Sequence, residues 1–503
     1  ISPRDWSSDV CSSDLILARL DELRAADAPT HGGHVLSYVY DSGLAELDEL
    51  AASAIRAVQP VNGLDPTTFT SVAVMEREVV AFARDLLNGD DDVVGSVTTG
   101  GTESCLLAVK TARDVWAAGA GSTGSPVSTG STTRPRLLAP VTVHAAFQKA
   151  AHYFGLELDL VPVLADGRVD ADVLIERMGA DVALVVVSAP SYPHAALDPI
   201  AQVAAAAAER GIACHVDACI GGLVLPFWPD LPEWDFRVPG VTSISADFHK
   251  FGYAPKGVSV LLTRGRDRHR AQYFATTRWP GYPVVNPTIL GSKSAGALAA
   301  AWAITRALGR EGFAELAASC HRSTTALVEL VETIPGLRVV GSPVGPLLAV
   351  ATDATAPADQ QVDPHHWADQ ARAHGWHLQL QPGLTQPDGT TLPRTTHLTI
   401  TPVTESVLPE LSAALVTAAD EVRGVPGVSS EQVLASLPAG LAEAPLDAPL
   451  DAATAFGILQ SIGLVSAGGG LPDRMAPFIA LVEALPAPLT QRLLTELIAR
   501  TFE

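Results

Sequence analysis

The sequence is short of thiols, of positive charge and of long apolar runs, and each shortage removes a class of function. It has five cysteines, Cys11, Cys105, Cys214, Cys219 and Cys320. No two form a CxxC pair and the number is odd. Neither a disulfide framework nor a zinc site is expected, no metal is assigned, and a reducing cytoplasm suits the chain. Lys and Arg number 33 against 55 Asp and Glu, a formal net charge of −22. A field of that sign repels phosphate backbones and anionic lipid, so nucleic acid and membrane surfaces are not expected partners. It still allows one small phosphate to be held at short range by backbone N–H groups. No apolar run reaches about 18 residues, so no transmembrane segment is expected in this chain. What remains is globular, 47% hydrophobic and 17% charged, and its 503 residues exceed one ordinary core.

Residues 4–15, RDWSSDVCSSDL, match residue by residue the in-frame translation of a common short-read sequencing adapter. Residues 1–15 are therefore expected to be foreign to the fold, with the true N-terminus lost. Residues 16–61 read as a polar-faced helical segment. From 62 to 311 short apolar runs at 94–98, 137–143, 158–163, 182–188, 212–217, 242–246 and 258–263 alternate with helical patterns. That alternation predicts an α/β domain whose mostly parallel sheet is covered on both faces, with ligands at the carboxyl ends of its strands. Residues 119–134, rich in Gly, Ser and Thr, read as a flexible loop. A smaller α/β domain is expected over 312–424. The Pro/Ala-rich tail, 425–503, reads as helical patches to which no chemistry is assigned. No internal repeat is visible.

Four segments carry candidate chemistry. TTGGTES, 98–104, follows a strand and opens a helix. Gly100 and Gly101 allow a tight turn, and the helix N-terminus offers free N–H groups to an anion, although such a segment can simply cap a helix. It is not the GxGxxG dinucleotide pattern. His144 ends a strand within VTVHAAFQK, where a lone histidine can equally be a hydrogen-bonded structural residue. Asp217 ends the apolar strand of CHVDACIGG. A carboxylate there needs a cationic or N–H partner, or else caps the next helix. Lys250, in SISADFHKFGYAPKG, follows a strand in an apolar stretch. Desolvation there favours the neutral amine, which can form an imine with an aldehyde, although one lysine can also snorkel to the surface. Taken together, an anion cradle, an aromatic-sized histidine, a buried acid and an imine-forming lysine are the parts that pyridoxal 5′-phosphate (PLP) needs for its phosphate, ring face, pyridine nitrogen and aldehyde.

The blocks TTGGTES, VHAAFQKAAHYFG, SAPSYPHAALDPI, HVDACIGGLVLPF and SISADFHKFGYAPKG resemble those of the group II PLP-dependent decarboxylase superfamily, and within it the sphingosine-1-phosphate lyase-like branch. The resemblance covers roughly residues 38–402. It implies a PLP-dependent transferase fold of type I and a homodimer with active sites between subunits. It also implies roles by position. Lys250 would carry the cofactor as a Schiff base, Asp217 would pair with the pyridine nitrogen, and His144 would stack on the ring and act as acid or base. Gly101, Thr102 and His249 would hold the phosphate, with Ser188 beside the cofactor. Tyr38, Tyr40, Asn62 and Lys256 would line the substrate side. The family's GSR segment, where the partner subunit helps complete the phosphate site, reads Gly291, Ser292 and Lys293 here, and lysine loses arginine's two-pronged grip.

These motifs fix the cofactor more firmly than the reaction. The bond at the α-carbon that stands perpendicular to the conjugated plane is the one that breaks. A carbon–carbon lyase acting on an amine is expected, either a decarboxylase of an amino acid or an aldehyde-lyase of a phosphorylated amino alcohol. An aminotransferase and an inactive PLP-binding regulatory protein remain open. Asp65 stands where the family's NPLHP block has histidine, which adds negative charge near a phosphorylated substrate. Arg394 could grip a substrate carboxylate, or be a solvated loop charge.

Overall fold

The computed structural model describes residues 13–119, 134–429, 433, 435, 452–461 and 474–503. Most of the adapter-like segment and of the 119–134 loop therefore lies outside the described residues. Only the last three adapter-like positions appear, at the start of α1 (Ser13–Arg24).

The helical reading of residues 16–61 holds only in part. Helix α2 (Ala45–Ala57) follows α1, but the chain between them is not helical. Pro29 denies a backbone donor, and Gly32, Gly33 and Gly43 take φ values of +85°, +76° and +74°, which end helices. This stretch docks on the C-terminal unit. Leu36 N donates to His377 O (2.9 Å), Thr399 N donates to Leu36 O (2.7 Å), and the Leu36 side chain is buried.

After α3 (Thr70–Leu86) come seven strands: β1 (Val93–Thr98), β2 (Arg136–Pro140), β3 (Glu157–Val161), β4 (Val182–Ser188), β5 (Ala213–Asp217), β6 (Val241–Ala246) and β7 (Ser259–Arg264). They form one sheet in the order β1-β7-β6-β5-β4-β2-β3. β7 runs antiparallel to both neighbours, and the other pairings are parallel. The intervening helices include α4 (Gly101–Gly119), α5 (Ala145–Phe154), α6 (Ala171–Glu176) and α7 (Ile200–Glu209). Strand alternation sorts the core onto two faces. Leu184 and Val186 pack with Leu137 and Phe147 on one side, and Val185 and Val187 pack with Ile244 and Leu262 on the other. All seven residues of β4 are buried, which is why it reads as an unbroken apolar run.

A short α8 (Arg266–Arg270) and a hairpin, β8 (Phe274–Thr276) with β9 (Val284–Asn286), lead into α9 (Gly296–Thr333). Gly309, at φ +54°, interrupts α9 and makes two helical segments of it. A second sheet combines β10 (Leu337–Val339), β11 (Leu347–Thr352), β12 (Gln379–Gln381) and β15 (Thr395–Thr399), in the order β10-β11-β15-β12. The tiny β13 (Leu384–Thr385) and β14 (Thr391–Leu392) pair beside it, and α10 (Pro364–Ala373) and α11 (Thr404–Val422) cover it.

In the tail, α12 (Ala452–Ser461), α13 (Ala476–Ala484) and α14 (Ala487–Phe502) share a small apolar cluster. The tail is anchored rather than loose. Asp369 accepts hydrogen bonds from Met475 N (2.8 Å) and Ala476 N (3.0 Å) at the start of α13. No helix among the described residues is long and apolar enough to cross a membrane.

Candidate active site

β1, β2, β4, β5 and β6 end on the same edge of the sheet, because β1 and β6 both run opposite to β7. Register then sets neighbours: Ser188 stands beside Asp217, and Asp217 beside Ser245. Above that edge lies a cavity of about 770 Å³, within the range of small-molecule sites. Of the residues singled out in the sequence, Gly101, Thr102, His144, Ser188, Asp217, His249, Lys250, Tyr38, Tyr40 and Lys256 all line it.

Asp217 is buried. Its Oδ1 accepts from Cys219 N (3.1 Å) and from Ser245 Oγ (3.4 Å). Burial pushes its carboxyl up, but His144 and Lys250 pull it further down, to below the usual carboxylate range. It is therefore an anion at neutral pH. His144 caps α5, its Nδ1 accepting from Ala146 N (3.2 Å). That bond puts the proton of the neutral ring on Nε2.

Lys250 departs from the expectation that its amine is neutral. Nζ lies 3.0 Å from Asp247 Oδ2. Burial pushes the ammonium down, yet the field of Asp247, with Asp217 and other neighbours, outweighs it and holds the amine well above the ordinary lysine range. Burial was the right force to name, but the partner it summoned was missed. The lysine keeps 19% of its side chain open, while Asp247 keeps 1%.

His249 Nε2 is 3.5 Å from the same Asp247 oxygen. Two buried atoms here have no hydrogen-bond partner, Asp247 Oδ1 and His249 Nδ1. The turn into α4 leaves no room for side chains. A Cβ on Gly101 would sit 2.5 Å from Asp247 Oδ2 and 2.9 Å from Cys219 Sγ, and Gly100 has φ +146°. Glu103 closes this turn, accepting from Thr99 N, from Thr99 Oγ1 and, across the cavity mouth, from Ile289 N. A glycine-lined helix start beside an unpartnered imidazole nitrogen fits a phosphate. An ionised acid and a reachable lysine on the same cavity fit a pyridine ring bearing an aldehyde.

On the far side, Lys256 Nζ lies 4.5 Å from the centre of the Tyr40 ring and donates to His249 O (3.1 Å). Burial, helped by the charge of Lys250, lowers its pKa to about 8. Tyr192 packs at a tilt against His397, with ring centres 4.1 Å apart.

Three sequence candidates do not line the cavity. Arg394 is committed elsewhere. Its guanidinium grips the Glu483 carboxylate of α13, with Nε to Oε2 at 2.8 Å, and Nη1 donates to Val428 O. It ties the tail to the small sheet and is not placed to bind a substrate carboxylate. Asn62 bonds Ser292 Oγ and accepts from Lys293 N, bracing the 291–293 segment. Lys293 donates to Thr288 Oγ1 (3.2 Å) and lines a small adjoining void that shares Thr99 and Gly257 with the cavity. Asp65 does not line the cavity either. Thr67 and Thr68 each donate an N–H and a hydroxyl to its carboxylate, and these hydrogen bonds hold it far below the usual range.

Reading the sequence missed Asp247, Cys105, Cys219, Tyr192 and the β12 residues Gln379 and Gln381, all of which line the cavity. The three-residue spacing of Asp247 and Lys250 was the only available signal. Two of the cysteines meet only in the fold. Their spacing gave no metal motif, yet donor atoms of Cys105, Cys219 and Asp217 all lie within 4.8 Å of one another.

Comparison with known proteins agrees with this geometry. Residues 43–348 match the pyridoxal-dependent decarboxylase conserved domain. Residues 431–500 match a C-terminal HTH domain of pyridoxal-dependent enzymes. The sphingosine-1-phosphate lyase of Dictyostelium discoideum is 36% identical over 369 residues, covering 72% of this chain and 64% of that protein. Sphingosine-1-phosphate lyase 1 of Rattus norvegicus is 35% identical over 368 residues, covering 72% and 61%. The chain thus spans less than two thirds of these two relatives. The solved sphingosine-1-phosphate lyase of Burkholderia pseudomallei superposes with a TM-score of 0.73 at 34% identity, covering 82% of this chain and 91% of that one. Lactobacillus brevis glutamate decarboxylase, at 19% identity and a TM-score of 0.71 over 84% and 95% of the two chains, shares the fold.

Proposed function

From the premise that the chain belongs to the pyridoxal-dependent decarboxylase family, whose cofactor is PLP, we propose that it is a carbon–carbon lyase acting at the α-carbon of an amine, and that the amine is a phosphorylated amino alcohol cleaved to an aldehyde. One observation carries the reading: Lys250, Asp217 and His144 come from the ends of three strands to line one cavity with the glycine turn of α4. Three more favour the aldehyde-lyase over the amino-acid decarboxylase. Among the described residues no arginine lines the cavity, so a substrate carboxylate lacks its usual grip. Asp65, which would have opposed a phosphorylated substrate, does not line the cavity. Leu106, Ile220, Ile289, Leu290 and Leu380 give the cavity an apolar wall suited to an aliphatic chain.

Bound there, the cofactor supplies a ring that accepts the electron pair left on the α-carbon when one of its bonds breaks. The chain supplies the rest. Asp217, ionised, keeps a proton on the pyridine nitrogen. Gly101, Thr102 and His249 offer donors to the phosphate, and Ser188 stands beside the ring. Asp247 faces Lys250 Nζ at 3.0 Å and holds its positive charge in place. Tyr38, Tyr40 and Lys256 meet the substrate, with Lys256 a donor for its phosphate. Lys293 reaches the site only through the adjoining void.

The proposed assembly is a homodimer in a reducing cytoplasm. Exposed Phe274, Trp279, Tyr282 and Val285, on and around the β8–β9 hairpin, support it, because such apolar patches commonly mark interfaces. Sedimentation of the loaded protein as a monomer would contradict it. The HTH-type tail match carries seven acidic and three basic residues, a balance unsuited to a phosphate backbone, and nucleic acid is not proposed.

Incubating the PLP-loaded protein with phosphorylated long-chain amino alcohols and with pooled amino acids tests the reaction. Aldehyde is expected from the former. Carbon dioxide from the latter without aldehyde would replace the reading by decarboxylation, and keto acid would replace it by transamination.

The ion pair at Lys250 has a pH consequence. A raised lysine pKa means a small neutral fraction at neutral pH that grows as pH rises. The rate of cofactor attachment is expected to climb with pH. Asp247→Asn removes the facing charge, lowers the pKa, and should move that profile by about one to three units toward acid. The appearance of bound-cofactor absorbance against pH measures it, and an unmoved profile would remove Asp247 from the role.

A further inference from the structure

We propose that Cys105, Cys219 and Asp217 form a binding site for a thiophilic divalent cation, open to the cavity. All three line it, so an ion can enter by the route that admits a small molecule. Their donor atoms, two sulfurs and a carboxylate oxygen, lie within 4.8 Å of one another. Tetrahedral zinc with bonds of about 2.0–2.3 Å holds its ligand atoms roughly 3.5–3.8 Å apart, so about 1 Å of closure completes the shell. Two sulfurs select a soft or borderline ion over magnesium or calcium. Three protein ligands leave a fourth position to water from the cavity.

The surroundings hold the ligands in place. Ser245 Oγ is 3.2 Å from Cys219 Sγ and 3.4 Å from Asp217 Oδ1, and Cys219 N donates to the same oxygen. Such supporting bonds orient ligands. Gly101 makes room for the Cys219 sulfur, which a Cβ there would approach to 2.9 Å. Cys105 reaches the cluster from the first turns of α4. Both thiols are neutral in the free chain. For Cys105 burial is the main cause. For Cys219 it is the contact with Cys105, then burial. Binding one cation therefore releases two thiol protons to solvent and forms two metal–sulfur bonds and one metal–oxygen bond.

Asp217 belongs to both this site and the proposed cofactor site. Mutual exclusion of ion and PLP rests on that reading, whereas the metal site itself does not.

The experiment uses the full chain, stripped of cofactor and kept reduced, equilibrated with zinc alone and then freed of unbound metal. About one zinc per chain is expected. Affinity should fall by about tenfold or more in Cys105→Ala and in Cys219→Ala. Cys214→Ala and Cys320→Ala, which remove buried thiols outside the cluster, should keep it. Cobalt(II) in the unmutated chain should show thiolate-to-metal charge-transfer absorption, a readout that does not depend on any variant folding. Zinc uptake that ignores both cysteine changes, or cobalt without that absorption, would overturn the site. If metal binds as described but PLP does not displace it, the failure falls on the role of Asp217 toward the cofactor.

Discussion

Lys250→Ala is expected to lower turnover by about 1,000-fold or more, because it would remove the amine proposed as the covalent anchor of the cofactor. It should also destabilise the fold. Asp247, 1% exposed, has its Oδ2 3.0 Å from Lys250 Nζ, and stripping the partner from a buried ion pair costs about 3–5 kcal/mol. Lys250→Arg separates the two effects. The guanidinium keeps a positive charge facing Asp247 but stays protonated, so it cannot join an aldehyde. The arginine variant should melt closer to the unmutated protein than the alanine variant does, yet be equally inactive. Turnover within tenfold of normal in either variant would show that this amine is not the one used.

Asp217→Asn should cost roughly 100- to 1,000-fold in turnover, the scale seen when one preorganised electrostatic partner of the reacting group is lost. Asparagine keeps the shape, and an oxygen that can accept from Cys219 N, so folding should change little. What it loses is the negative charge proposed to keep the ring nitrogen protonated. Cofactor should still attach to Lys250, and kcat should fall more than KM changes. Equal losses in attachment and in turnover would instead give Asp217 a purely structural part.

The parallel sheet was legible because its strands are short, apolar and spaced by helices. All seven expected runs became strands, including β4, which is buried throughout. The cavity followed from the same logic, since strand ends that share an edge bring Ser188, Asp217 and Lys250 together. What stayed hidden was chemistry made by contacts remote in sequence. Cys105 and Cys219 meet only once α4 crosses the end of β5, and no spacing rule sees that. Arg394 looked like a free charge because its partner, Glu483, sits on a tail helix that was assigned no role. The charge of Lys250 was misread for a different reason. Desolvation was visible in the apolar stretch, but the compensating carboxylate of Asp247 is visible only in the folded turn. Asp65 could have been read locally, because Thr67 and Thr68 follow it at the spacing of a side-chain-capped turn.

Borohydride reduction of the PLP-loaded protein, followed by peptide mass mapping, tests the central claim most directly. The account predicts one reduced pyridoxyl group per chain, on the peptide containing Lys250. A cofactor fixed on Lys256 or Lys293, or none fixed at all, would contradict it.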